Sequence, residues 1–299
     1  MKEIPLIEED AGMKKLVVLL AGIAVFVNAH AFAADIGDVM PSLKAAKQAI
    51  DSILAEIDID LKAATKALSN TDLKGDAARK ILNDLRKYRP YVINCSIIDA
   101  DGVKIAVEPV EYKQYEGANR SDLPYVMSLL KNKKPTMSNV YHSAEGIHAV
   151  TIGYPIFSDK GEFSGAVRML IRHEDFLKPL VEDEPCKIWV MQKNGLIVYD
   201  ADPEEIGKNM FSDPMFSPFE DLISFSKTVV SSKSGAGSYS FYTDGLKDKR
   251  LAEKIAAWDT AGLYGTEWRV VAMEISGPLE QPAAAAAAAP ASARQAPAK

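Results

Sequence analysis

The chain is poorly equipped for covalent chemistry. It has two cysteines and four histidines in 299 residues. It contains no Gly-x-Ser-x-Gly, no glycine-rich phosphate loop, no Cys-x-x-Cys pair and no His-Glu-x-x-His. Acyl transfer at a serine elbow, P-loop phosphoryl transfer and dithiol chemistry therefore have no support, and neither an enzymatic activity nor a cofactor is expected. The nearest approach to a metal spacing is His142-Ser-Ala-Glu145-Gly-Ile-His148. Gly146 places it in a turn, so the three side chains need not converge. Asp99-Ala-Asp101-Gly102 is no calcium loop: its glycine comes too early and no Glu follows at the twelfth position. Basic clusters are also missing. With 35 Lys and Arg against 41 Asp and Glu, the net charge is −6, which argues against a nucleic-acid partner.

What is present begins with an export pattern. Met13-Lys14-Lys15 is a basic start, Leu16–Val27 is an unbroken apolar run, and Ala29-His30-Ala31 and Ala31-Phe32-Ala33 offer small-x-small cleavage sites. The run is shorter than the roughly 20 residues of a membrane-spanning helix. Met1–Gly12 is acidic, unlike a signal n-region, so translation is expected to start at Met13. Residues 1–33 are read as a signal peptide, and the mature chain is expected to begin near Ala34 in the periplasm. An uncleaved anchor is the alternative.

The most informative feature is a repeat. Val92–Val107 (VINCSIIDADGVKIAV) and Lys187–Tyr199 (KIWVMQKNGLIVY) are both β-rich runs folded on a Gly-closed turn, Asp101-Gly102 in one and Asn194-Gly195 in the other. Such dipeptides are strong hairpin signals, with positive φ expected at both turn residues. The copies lie roughly 90–100 residues apart, a spacing of tandem domains rather than of a solenoid. Each copy leads to a further strand, Phe163–Ile171 and Glu267–Ile275. Cys95 and Cys186 fall at matching places in the two first strands and are expected to be buried thiols.

Helical periodicity covers Ile36 to Leu68, with Ile50, Ile53, Leu54, Ile57, Leu61 and Leu68 on one side. A second helix, capped by Thr71 or Asp72, runs to about Tyr88 before Pro90. Strands are expected at Tyr91–Ile98, Val103–Val107, Met137–Tyr141, Ile147–Ile156 and Phe163–Ile171, with a helix near Asp122–Lys131. A connecting helix, His173–Val181, leads to the second set: Cys186–Gln192, Leu196–Tyr199, Gly237–Thr243, Lys254–Asp259 and Thr266–Ile275. The expected fold class is α+β, and the expected units are N-terminal helices 34–90, a first module 91–181, a second module 182–277, and a disordered Ala/Pro-rich tail 278–299.

This layout, a long helix and then two five-stranded antiparallel modules, resembles the double Cache (PAS-like) extracellular sensor domains. Local sequence agrees: Ser121-Asp122-Leu123-Pro124-Tyr125 resembles the start of the family's pocket helix. Gly153-Tyr154-Pro155-Ile156 with Gly161–Val167 resembles the closing hairpin of its first module. Asn194–Tyr199 with Asp202–Lys208, and Trp258 with Trp268–Val271, resemble the second. The resemblance implies a sensor that binds a small ligand in the first module and signals to a membrane receptor or kinase, as in chemotaxis. Its amino-acid-binding members use an Arg, an aromatic pair and an Asp. This chain has Leu123 at the Arg position, Tyr125-Val126 at the aromatic pair and Leu170 at the Asp, so an α-amino acid is not expected.

Strand alternation places Arg168 beside Leu170 on the ligand face. An Arg aimed into a closed site suits a planar anion, because its fork matches a carboxylate; an Arg paired with an internal acid, Asp122 foremost, would look the same. Tyr115, Arg120, Asp122 and Tyr125 lie on the covering loop and helix start, and Tyr141 and Tyr154 are further candidates for the lining, with core packing the competing role. The expected partner is thus a small carboxylate-like molecule. The rival reading is a structural module with a self-filled pocket, dimerising through its N-terminal helix.

Overall fold

A single amphipathic stripe organises the molecule. The computed structural model describes residues 11–245 and 248–278, those at 11–35, 38 and 278 by backbone alone. Helix α1, Ala11–Leu68, contains the expected segment and extends N-terminal to it. Val39, Leu43, Ala46, Ile50, Leu54, Ile57, Leu61, Ala64 and Leu68 are all buried, at steps of three and four residues that keep them on one face. Helix α2, Asp76–Arg86, starts later than the capping residues predicted. The Thr71 hydroxyl donates back to the Ala67 carbonyl and Asp72 closes a turn on the Lys74 amide, so Gly75 becomes the N-cap.

The first sheet contains β1 (Val92–Ile98), β2 (Lys104–Glu108), β3 (Thr136–Met137), β4 (Tyr141–His142), β5 (His148–Phe157) and β6 (Phe163–Ile171). Its order is β2-β1-β6-β5-β3, with β4 added on β5. The second contains β7 (Lys187–Gln192), β8 (Ile197–Tyr199), β9 (Gly235–Asp244), β10 (Asp248–Leu263) and β11 (Thr266–Pro278), in the order β8-β7-β11-β10-β9. All pairings are antiparallel. The two repeated hairpins thus occupy equivalent places in two sheets of one topology.

The first sheet has six strands where five were expected, β10 extends well beyond the expected Lys254–Asp259 at both ends, and the turns and one strand differ in detail. In the hairpin turns only the glycines, Gly102 and Gly195, have positive φ. Gly102 N–H closes on the Asp99 carbonyl and Gly195 N–H on that of Gln192, with register shifts at Ile97/Ile98 and Val190/Met191. These are bulged turns with one left-handed residue, not two-residue mirror turns. The expected strand Met137–Tyr141 is also split. Ser138 still exchanges bonds with Thr151, but the Val140 amide turns away to the Gln192 side chain of the second module, 2.6 Å.

Helix α1 packs across β5 and β6 of one sheet and β10 and β11 of the other. One continuous core results, in which the α1 stripe joins Cys95, Ile97, Val167 and Met169 to Ile188, Val190, Trp268 and Val270. The opposite faces carry separate clusters. Helix α3 (Pro124–Asn132) covers the first with Tyr125, Val126 and Leu129. Helix α5 (Glu220–Ser231) covers the second with Leu222, Phe225 and Val229. Helix α4 (His173–Val181) links the modules. Ile57 is fully buried in the shared core. Ile57→Ala should lower stability by about 2–5 kcal/mol, and urea unfolding should show the second module's tryptophans and the far-UV signal shifting together in one transition. Two separated transitions would mean the modules do not share a cooperative core.

Candidate functional site

Parity along β6 creates two chemically different faces. Val167, Met169 and Ile171 face α1, and Ala166, Arg168 and Leu170 face α3. Arg168 is flanked in register by Ser96 of β1 and Gly153 of β5. A Cβ at Gly153 would meet Leu129 Cδ1 at 2.8 Å and Arg168 Cγ at 3.6 Å, so the glycine lets α3 and the arginine pack on the sheet. Arg168 is only 4% exposed. Its guanidinium stacks over the Tyr125 ring, 5.6 Å from the centroid, yet Nε and Nη1 have no hydrogen-bond partner.

A second cation is buried beside it. Lys104 of β2 is 3% exposed; its Nζ donates to Glu145 Oε1 at 3.1 Å, and Asn94 Nδ2 donates to the same oxygen at 3.0 Å. Burial, reinforced by the positive charge of Arg168, pushes the Lys104 ammonium down to about 8 despite Glu145. Burial alone would raise the Glu145 carboxyl; the Lys104 charge and hydrogen bonds outweigh it and hold that group below its ordinary value. Around the pair, the Tyr115 ring lies 5.3 Å from Lys104 Nζ. Arg79 of α2 holds that loop, bonded to Glu108 at 3.1 Å and Glu116 at 2.8 Å. Tyr125 and Tyr141 share a hydroxyl contact of 3.2 Å, and Tyr141 bonds Thr151 at 2.8 Å. Burial raises the Tyr141 phenol, so it stays neutral.

Of the residues singled out in the sequence, the fold brings Arg168, Tyr125, Tyr141 and Tyr115 to this face, with half-buried Arg120 close enough for its charge to act on Lys104. Two fall elsewhere. Tyr154 belongs to the opposite parity, against the α1 core, with Asp58 beside its hydroxyl. Asp122 is exposed; the acid among the cations is Glu145. Lys104, Glu145, Asn94 and Thr151 are the additions. Lys104 was recoverable from strand alternation, since it sits at a buried position of β2. Glu145 was not, because it is delivered by a turn whose docking is a tertiary contact. His142 and His148 stack edge to face at 5.4 Å, and among the described residues no group of three His, Cys, Asp or Glu side chains has metal-holding geometry.

The second module has a polar cavity of its own, lined by Asp200, Asp202, Glu205, Lys254, Trp189 and Tyr239. At about 30 Å³ it has room for roughly one water. Burial pushes Asp200 up to about 7 and Glu205 up to about 8, so protons offset its excess of acids. The first-module face, with its unpartnered arginine, is the stronger candidate.

The comparisons agree with this fold. Residues 52–173, which include the whole site, match the family model of the HK/GC/chemotaxis protein-like sensor domain. No curated protein matches the chain. Among solved structures, an extracellular ligand-binding receptor from Desulfohalobium retbaense DSM5692 is 28% identical, with a TM-score of 0.66 over 79% of this chain and 40% of that one. This chain therefore spans less than half the length of that receptor. The sensory domain of the Campylobacter jejuni chemoreceptor Tlp3, solved with isoleucine bound, is 13% identical over 84% of this chain and 96% of its own, TM-score 0.55. The ligand-binding domain of the Pseudomonas aeruginosa PAO1 amino-acid chemoreceptor PctB, in complex with L-Gln, is 12% identical over 80% and 90%, TM-score 0.55. At such identities these last two show the fold alone. The chain thus has the fold of Cache-type sensor domains, and its residues 52–173 are similar to the HK/GC/chemotaxis protein-like sensor domain.

Proposed function

We propose that the protein is an exported sensor that binds a small carboxylate, or another small anion, in its first module and passes occupancy to a membrane receptor or kinase. One observation carries this reading: Arg168 is buried with two guanidinium nitrogens lacking a partner. A buried, unpaired cation is costly, and a carboxylate oxygen on those nitrogens would offset the cost. Net charge supports the same ligand class, because the buried face holds two cations and one acid, with Arg120 adjacent. The β6 position of the family's acid is Leu170, which is buried, and the acid on this face, Glu145, is already bonded to Lys104.

For the output, two hydrogen bonds tie the β3–β4 segment beside the site to the second sheet. Val140 N–H donates to Gln192, and the Thr266 hydroxyl donates to the Met137 carbonyl at 2.6 Å. Tyr141, one residue further on, belongs to the site. A shift of this segment on ligand binding would therefore be felt at β7 and β11. The export reading rests on the leader pattern, and among the described residues no helix is long and apolar enough to cross a membrane. The rival reading, a self-filled structural pocket, draws on Glu145, which already neutralises one cation. Titration of the protein with carboxylates separates the two.

Arg168→Ala should weaken carboxylate binding roughly 30- to 1,000-fold, the loss expected for a buried charge-assisted contact worth about 2–4 kcal/mol. Calorimetry gives the affinity. The same variant should leave the unliganded protein at least as stable, because it removes an unpaired buried charge. Marked destabilisation with unchanged affinity would mean the arginine is paired internally.

A pH dependence follows from Lys104. Its value in the folded protein, about 8, lies below the ordinary 10.5, so between these limits the native state binds fewer protons than the unfolded chain. Its contribution to stability should therefore rise with pH across that window. Anion affinity should do the opposite and fall as pH passes through about 8, as the site loses one positive charge. Glu145 stays ionised throughout. Calorimetric affinities and urea midpoints between pH 7 and 10 would reveal the two opposed trends; a flat affinity profile would exclude Lys104 from the site's electrostatics.

A further inference from the structure

The turn that delivers Glu145 is built to place one side chain. Ser143 N–H bonds the Ile147 carbonyl at 2.8 Å and Gly146 N–H bonds the Ser143 carbonyl at 3.1 Å, with Gly146 at φ +81°. Ala144 and Gly146 on either side are exposed, while the Glu145 side chain is 4% exposed and is held by Lys104 and Asn94. The strands entering the turn pair only at Tyr141–Ala149 and His142–His148. The tip is thus a short hairpin that turns Ser143 and the Glu145 carboxylate inward, the carboxylate set against the Lys104 ammonium.

This arrangement has a consequence for the kind of anion that can bind, which rests on the anion-site reading above. Lys104 and Glu145 form a neutral pair. Of the two cations buried on this face, Arg168 is the one left with donors unfilled. A ligand carrying one negative charge brings the site to neutrality. A ligand carrying two would set its second carboxylate against Glu145 in a medium of low dielectric, where like charges in close contact cost several kcal/mol. Selectivity of this kind comes from a repulsive element as much as from an attractive one.

We propose that Glu145 is a specificity-determining residue that restricts the first-module site to monoanions by occupying Lys104, the position at which a second ligand carboxylate would bind. Glu145→Gln keeps a carbonyl oxygen to accept from Lys104 and Asn94 while removing the charge. Losing the Glu145 charge lowers the Lys104 ammonium further, so at mildly acidic pH, where Lys104 keeps its proton, the site holds two uncompensated cations and should favour a dianion. Lys104→Gln with Glu145→Gln restores a single net positive charge and should return the original preference.

The test is calorimetry on the full chain with acetate, propionate and lactate against malonate and succinate, with thermal unfolding of each variant to confirm its fold. The wild-type protein should bind a monocarboxylate at least about tenfold tighter than either dicarboxylate. Glu145→Gln should shift that ratio toward the dicarboxylates by about ten- to a hundredfold, and the double variant should reverse the shift. If Glu145→Gln does not fold, Lys104→Gln serves instead: it takes the site to zero net charge and should weaken monocarboxylate binding by about tenfold. A wild-type preference for dicarboxylates, or a ratio unmoved in Glu145→Gln, would overturn charge selection by Glu145. In either case an Arg168-dependent monocarboxylate affinity would leave the anion site standing. Should no anion of either series bind the wild-type protein, the anion site itself fails and this inference falls with it.

Discussion

The burial of one face of α1 is the constraint on which the rest of the molecule depends. Its stripe from Val39 to Leu68 supplies apolar surface to both sheets at once. Each fully buried Leu or Ile contributes about 1.5–3 kcal/mol relative to exposure, so this face outweighs any polar contact in the structure. Because the helix satisfies one side of each sheet, the other side is free to differ. On those outer faces the modules diverge, with α3 over one and α5 over the other.

The divergence is largely electrostatic. In the first module, buried Lys104 and Arg168 face a single carboxylate, and the imbalance leaves donors of Arg168 unfilled. In the second, Asp200, Asp202 and Glu205 outnumber buried Lys254, and the imbalance is met by protonation, as the raised values of Asp200 and Glu205 indicate. A protonated carboxyl needs no external counter-charge. A guanidinium cannot lose its charge in the same way, and so the imbalance of the first module remains as unfilled donors on Arg168.

The join between the modules also carries polar links. A continuous strand from Met137 to Tyr141 would have spent the Val140 amide on β5. The break hands it to Gln192, while Thr266 reaches Met137. The segment that contributes Tyr141 to the site therefore also touches the β7 and β11 strands of the second sheet, which provides a short physical route between them.

Sequence alone determined the elements and their repetition. The hairpin turns at Gly102 and Gly195, the helical stripe ending at Leu68, the α4 boundaries and the placement of Arg168 and Leu170 on one strand face all follow from local periodicity and turn chemistry. These are properties of neighbouring residues, so they survive without knowledge of the fold. Tertiary structure alone decided what Arg168 meets. Asp122, near the pocket helix in sequence, is exposed, while Glu145, from a turn read only as an unconvincing metal spacing, supplies the buried acid. Tyr154 went to the α1 side because Gly153 holds the register opposite Arg168. Buried charges are placed by whichever segments happen to dock over a sheet. Docking is set by long-range packing, which no short window of sequence records.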